Sequence, residues 1–305
     1  MKRKIPVILC VDTGIDDASA IFFALGCKNL DIKLFVCGYG NTSLENCARN
    51  TLNILDFANA PLIPVVMGNM PNEKRSKIIY RAHGENGLGG YILPESNRQV
   101  VDKKPEDAIY EVVCKNQNIH IITLGPLTTI ASTFKKYPDI QQKIEKLIAM
   151  GGSIKEKLDT EKPYTEFNIA SDPESAEIVI NSGVKILMVP TEMGRIAYLD
   201  YQDIYKIKNL NYIGDLIEKL YRNYKPRGLK NCVGSFDSTT ICALSNPEIM
   251  QYKPALGFVK YFDNVDTGVC LFDFNKQPNM EVAINIDPIK FKKVYFKALK
   301  KSHKK

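Results

Sequence analysis

The stretch Ile5–Gly26, IPVILCVDTGIDDASAIFFALG, decides the fold. Its first seven residues, IPVILCV, form a short continuous apolar run, the pattern of a parallel strand covered on both faces. After them Ala18, Ile21, Phe22 and Leu25 recur at helical spacing. Asp16 and Asp17 sit at the helix start, where the macrodipole favours negative charge, and Gly26 marks its end.

Strand then helix is the rhythm of much of the chain. IKLFVCGYG predicts a second strand, and SLENCARNTLNILDFA a second helix opened by Ser43 and Asn46 in capping-box-like positions. PLIPVVMG predicts a third strand. Helices at PEDAIYEVVCKN, LTTIASTFKKY and PESAEIVINSG then alternate with strands at IHIITL, KLIAMGG and KILMVP. This alternation predicts an α/β fold: a single-domain, open, mostly parallel, doubly wound sheet of Rossmann-like type over residues 1–305. The segment 70–104, rich in Gly, Asn and charge, lacks clear periodicity and reads as a functional or mobile loop.

Composition narrows the function classes. With 305 residues, 45% of them hydrophobic, the chain has material for a large core and is not a disordered one. Lys+Arg exceed Asp+Glu by 41 − 34 = 7, and much of that excess sits in a basic tail at about 290–305, read as a terminal helix with a solvated face. Nothing else suggests nucleic acid, and no apolar run is long enough to span a bilayer. Eight cysteines are scattered with no CxxC pair, as reduced thiols of a cytoplasmic protein would be. The start MKRKIPVILCVDT reaches an aspartate too soon for a signal peptide.

Ligands of open parallel sheets bind beyond the carboxyl ends of the strands. Asp12, Asn41, Gly125–Pro126 and Met150–Gly151–Gly152 all follow apolar strands and should share one rim. Asp16 and Asp17 alone could be helix-start acids. Asp12, placed before the helix, makes a cluster of three carboxylates that repel unless a cation or ligand neutralises them. Oxygen ligands in that number suit Ca²⁺ or Mg²⁺ better than zinc, and His83, His120 and His303 have no zinc-ligand spacing. Further polar candidates are His83 in RAHGENGLGG, Glu166 and Asn168 two apart in YTEFNIASDPESAE, and Asp237 in GSFDSTTICAL.

Together these segments resemble the inosine–uridine-preferring nucleoside hydrolase family. Its signature D-x-D-[PT]-[GA]-x-D-D falls on Cys10, Asp12, Thr13, Gly14, Asp16 and Asp17. GYGNTSLENCARN, HGENGLGG, TLGPLTTIA, MGG and EFNIASDPESA follow in the family's order. The resemblance implies a nucleoside hydrolase fold that cleaves the N-glycosidic bond of ribonucleosides, in nucleoside salvage, with bound Ca²⁺. It implies that Asp12, Asp17, Asp237 and the backbone carbonyl of Leu124 hold calcium and that Asp12 is also the general base. Asp16, Asn41, Glu166 and Asn168 would hold ribose hydroxyls, Met150 would pack near the sugar, and His83 would lie in a mobile loop over the base. A homodimer or homotetramer is usual in such a family.

Three positions depart from the pattern. Cys10 replaces the first acid of the signature, a change to the support behind the calcium ligands because a thiol cannot accept hydrogen bonds as a carboxylate does. Thr160 stands where an Asn contacts the sugar's 5′ end, and Phe236 stands where some members place a His that protonates a departing purine. Tyr221, Tyr224 and Arg227 in KLYRNYKPRG are candidates for contact with the base, or residues of an amphipathic surface helix. The alternative function is a non-catalytic nucleoside or ribose binder of the same fold. A Mg²⁺ phosphohydrolase is disfavoured, since neither D-x-D-x-[TV] nor a phosphate loop occurs.

Overall fold

The computed structural model describes residues 4–72, 74, 81–155, 165–224, 232–262 and 265–302. In chain order they form β1 (Ile5–Val11), α1 (Ile15–Gly26), β2 (Leu30–Cys37), α2 (Leu44–Phe57), β3 (Val65–Met67), α3 (Pro105–Lys115), β4 (Ile119–Thr123), α4 (Thr128–Lys136) and β5 (Ile144–Met150). There follow α5 (Phe167–Ser171), α6 (Pro173–Ile180), β6 (Ile186–Val189), α7 (Thr191–Ile196), β7 (Leu199–Asp200), α8 (Tyr201–Lys208) and α9 (Tyr212–Arg222). The last third holds β8 (Cys232–Val233), α10 (Phe236–Ser245), β9 (Met250–Phe262), β10 (Val265–Asp273), β11 (Met280–Ile286) and α11 (Pro288–Leu299).

Among the described residues nine strands form one sheet in the order β10-β9-β11-β6-β5-β4-β1-β2-β3. From β3 through β11 neighbours run parallel, and β9 and β10 extend that edge antiparallel. The order reverses at β1, which pairs with β2 on one side and β4 on the other. That is the topological switch point, where the chain leaves the sheet in opposite directions and opens a crevice.

The continuous apolar run of β1 is explained by two cores. Val7, Leu9 and Val11 face the cluster built with α1, α2, α9, α10 and α11, while Ile8 and Cys10 face the one built with α3, α4 and α6. Helix α1 is more buried than an amphipathic pattern requires: every residue but Leu25 is enclosed, because α9, α10 and α11 pack around it. Gly26 permits the last of these contacts, since a side chain there would collide with the Ala298 carbonyl.

Local signals place the element ends. Ser43 accepts the Asn46 N–H at 3.2 Å and so caps α2. The third strand is shorter than its apolar letters predict, only Val65–Met67, because Pro61 and Pro64 bring no N–H to a ladder. The basic C-terminal stretch forms α11, whose Phe291, Tyr295, Ala298 and Leu299 are buried while most of its lysines face outward. Likewise, α9 is amphipathic: Ile213, Leu216, Ile217, Leu220 and Tyr221 are buried, while Tyr212, Lys219 and Arg222 are exposed.

Candidate active site

The loop between β1 and α1 is organised by Asp17. Its carboxylate accepts the Gly14 N–H at 3.0 Å, the Asp12 N–H at 3.2 Å and the Asn41 side-chain amide at 2.9 Å. Helix dipole and backbone donors thus hold one acid and, through it, the turn that carries the others. Gly14 is required there by space: a Cβ would fall 2.6 Å from His83 Nδ1 and 2.8 Å from Asn41 Nδ2.

Asp12 is clasped by the loops that follow β2 and β4. Its Oδ2 accepts the Asn41 N–H at 2.9 Å. Gly40 presses on the same carboxylate, and a Cβ on Gly125 would lie 2.6 Å from Oδ1. That Oδ1 is buried and, among the described residues, accepts no hydrogen bond. On the neighbouring rim, Asn168 Nδ2 donates to the Leu124 carbonyl at 2.6 Å and to the carbonyl and sulfur of Met150, each at 3.2 Å. Glu166 caps α5, accepting N–H groups from Asn168, Ile169 and Gly152 at 2.9, 3.1 and 3.2 Å. Asp237, in the first turn of α10, completes a group of five buried carboxylates.

Burial dominates their electrostatics. It pushes Asp16 and Asp17 up to about 6 and Glu166 up to about 7, although hydrogen bonds pull each back. Asp12 and Asp237 rise well above the carboxylate range, from burial first and then from neighbouring acids. Without a cation, these groups cannot all ionise at neutral pH. One oxygen from each of Asp16, Asp17 and Asp237 lies within 4.8 Å of the others, a cluster that could hold a metal ion. The unpartnered Asp12 Oδ1 is a further donor of the same hard type. The expected set of Asp12, Asp17, Asp237 and the Leu124 carbonyl overlaps this cluster in Asp17 and Asp237; in the structure the Leu124 oxygen is bonded to Asn168.

The candidates for the base side separate. His83 lies in a short turn, Arg81–His83, and is 1% exposed. Its Nδ1 accepts the Ile15 N–H at 3.0 Å, which leaves the proton on Nε2, and burial lowers its pKa to about 4. The histidine is therefore a neutral support beneath the acid loop in this state. Tyr224 packs against it with tilted rings, 4.8 Å between centroids, and donates its hydroxyl to Asp16 Oδ2 at 3.0 Å. Tyr221 instead turns to Tyr295 and Ser19, in the core beside α1. Phe236 packs over Gly194 and Gly234. Arg227 and Thr160 lie outside the described residues.

Three further contributors lie beyond the expected site residues: Asn50 and Gly87 inside the quoted segments, and Glu192 outside them. Asn50, on α2, donates to the Thr13 carbonyl at 3.1 Å and the Asn86 carbonyl at 2.8 Å, tying the acid loop to the glycine-rich loop. Gly87, at φ +79°, fits between Thr42, Asn50 and Thr13 where a side chain could not. Glu192 follows β6 and binds the turn after β5. Their letters look ordinary because their partners lie 36 to 39 residues away.

Fold and site define an α/β protein with a buried, metal-compatible cluster of carboxylates at the switch point of its sheet. The chain belongs to the inosine-uridine preferring nucleoside hydrolase family, whose model matches residues 7–293. It is 32% identical over 290 residues to the non-specific ribonucleoside hydrolase RihC of Escherichia coli, covering 93% of this chain and 94% of that one. The RihC of Klebsiella pneumoniae is 33% identical over the same coverage. Among solved structures, the purine-preferring ribonucleoside hydrolase of Gardnerella vaginalis superposes with a TM-score of 0.87 at 26% identity, over 97% of this chain and 98% of that one. The plant nucleoside hydrolase PpNRh1 gives 0.87 at 27% with the same coverage. The protein is thus an enzyme that hydrolyses the N-glycosidic bond of ribonucleosides. Among the described residues no helix is long and apolar enough to cross a membrane.

Proposed function

We propose that the protein is a calcium-dependent ribonucleoside hydrolase that releases free base and ribose for nucleoside salvage, acting in the cytoplasm as a homodimer or homotetramer. The observation that carries the calcium reading is Asp12 Oδ1, buried and unpartnered beside three converging aspartates. Asp12, Asp17 and Asp237, with the Leu124 carbonyl, would hold the ion. All are oxygen donors, and the nearby His83 spends Nδ1 on the Ile15 N–H. Bound calcium supplies positive charge that makes a nearby water more acidic.

Asp12 then takes the proton from the water that attacks the anomeric carbon. Asp16, Asn41, Glu166 and Asn168 hold the ribose hydroxyls, with Met150 against the sugar. As the C–N bond breaks, the ribose becomes oxocarbenium-like, and the surrounding carboxylates stabilise its charge. Phe236 has no proton to give to the departing base. Leaving-group protonation from that position is therefore absent, and substrates whose bases leave more readily are favoured.

Release of base and ribose from a panel of purine and pyrimidine ribonucleosides, with 2′-deoxy and 5′-modified analogues as controls, tests the proposal. Calcium-loaded protein should turn over at least one ribonucleoside and lose that activity to a chelator. Binding without turnover would replace the enzyme by a ribose or nucleoside binder. Phe236→His should raise purine hydrolysis more than pyrimidine hydrolysis, by roughly tenfold or more in the ratio of kcat/KM if the imidazole acts as a general acid. An unchanged ratio would show that position 236 does not set the preference.

A further inference from the structure

Helix α7 stands between the two halves of the site. On one side Gly194 receives Phe236, and its carbonyl accepts the Ser235 N–H at 3.1 Å, next to Asp237. On the other side is Glu192, 6% exposed and absent from every motif discussed above. Its Oε1 accepts the Ser153 hydroxyl at 2.6 Å, and its Oε2 accepts the Ile154 N–H at 3.1 Å. The preceding residue, Thr191, donates its N–H to the Gly152 carbonyl at 3.2 Å.

These three bonds close one turn. Within it Gly152 adopts φ +73°, a backbone state that favours glycine, and its N–H is directed onto Glu166 Oε2 at 3.2 Å. A buried carboxylate persists where its oxygens are hydrogen-bonded, and this one uses both on a single turn. The consequence reaches Glu166 through the backbone rather than through a side-chain contact.

We propose that Glu192 is a positioning residue for the ribose end of the site: by holding the turn 152–154 it fixes the direction of the Glu166 carboxylate. This rests on the nucleoside hydrolase reading above, in which Glu166 holds a sugar hydroxyl. Because the effect is on the sugar, it is independent of the base.

The test compares Glu192→Ala and Glu192→Gln in calcium, with one purine and one pyrimidine ribonucleoside and with ribose as a competitive inhibitor. Glutamine can keep both contacts, its carbonyl accepting from Ile154 while its amide donates to a reversed Ser153 hydroxyl. Loss of the two hydrogen bonds in Glu192→Ala should raise KM and the ribose inhibition constant about tenfold, by the same factor for both nucleosides. In the same variant kcat should stay within about threefold, since Glu166 is redirected rather than removed and keeps its charge beside the ribose. Glu192→Gln should remain within about twofold of wild type.

A residue that only stabilised the fold would lower the unfolding midpoint and leave KM and ribose inhibition alone, and that result overturns the inference. So does a base-dependent change, or a glutamine variant as impaired as the alanine one. If Glu192→Ala does not fold, Ser153→Ala, which removes one of the two donors, should raise KM about threefold, and an unchanged KM overturns the inference. Should wild type hydrolyse nothing, the functional reading fails. Calorimetric ribose binding to wild type and the variants then decides Glu192 by itself, equal binding or none counting against it.

Discussion

Asp12→Asn should lower turnover of every accepted ribonucleoside by about three orders of magnitude or more while leaving the fold intact, the scale expected when a general base is lost. The asparagine carbonyl can still accept the Asn41 N–H that Asp12 Oδ2 now receives. What it loses is the negative, proton-accepting character of the buried Oδ1, which has no partner among the described residues. Stability should not suffer, because the substitution removes one of five mutually repelling carboxylates. Base release under saturating substrate and calcium, with circular dichroism and thermal unfolding as controls, measures both halves. A variant within tenfold of wild type would show that Asp12 is not the base.

Removing divalent cations should reverse the usual dependence of stability on pH. Burial raises Asp16 and Asp17 from 3.8 to about 6, and Glu166 from 4.5 to about 7. For groups raised in the folded state, the native protein holds protons that the unfolded chain releases. Their contribution is intact below about pH 4 and is lost as pH climbs through about 6 to 7. His83 acts oppositely: lowered from 6.5 to about 4, it favours the native state above 6.5 and loses that contribution as pH falls towards 4. Five raised acids outweigh one histidine, so chelated protein should melt lower at pH 8 than at pH 5.

Calcium added at pH 8 should raise the midpoint by roughly 5–10 °C, equivalent to a few kcal/mol in a domain of this size. Scanning calorimetry at both pH values, with chelator or with calcium, reads the effect. A chelated protein that is more stable at pH 8, or a midpoint unmoved by calcium, would remove the argument that these acids await a cation.

Much of this site was legible because its members are local. Asp12, Asp16 and Asp17 lie on one loop, and the run before them announces a buried strand; Glu166 and Asn168 are likewise neighbours in one short segment. Strand ends at Asn41, Gly125 and Met150 could be aligned on one rim because parallel β-α-β units place all their carboxyl ends together. The antiparallel extension by β9 and β10 was not foreseen, and β3 was overestimated where prolines interrupt it. His83 could be assigned to a loop but not to its place under Gly14, since that depends on how tightly Leu88 and Gly87 seat the loop on the core.

The sequence by itself determined the doubly wound sheet, the acid-rich strand end and the family, because periodicity and short-range spacing record local geometry directly. Only the tertiary structure decided that Asp16 converges with Asp17 and Asp237, that Tyr224 reaches Asp16, that His83 is a buried acceptor, and that Glu192 binds the turn facing Glu166. Those relations arise from packing across the switch point. Contacts between distant segments depend on the summed fit of two cores, which no window of residues contains.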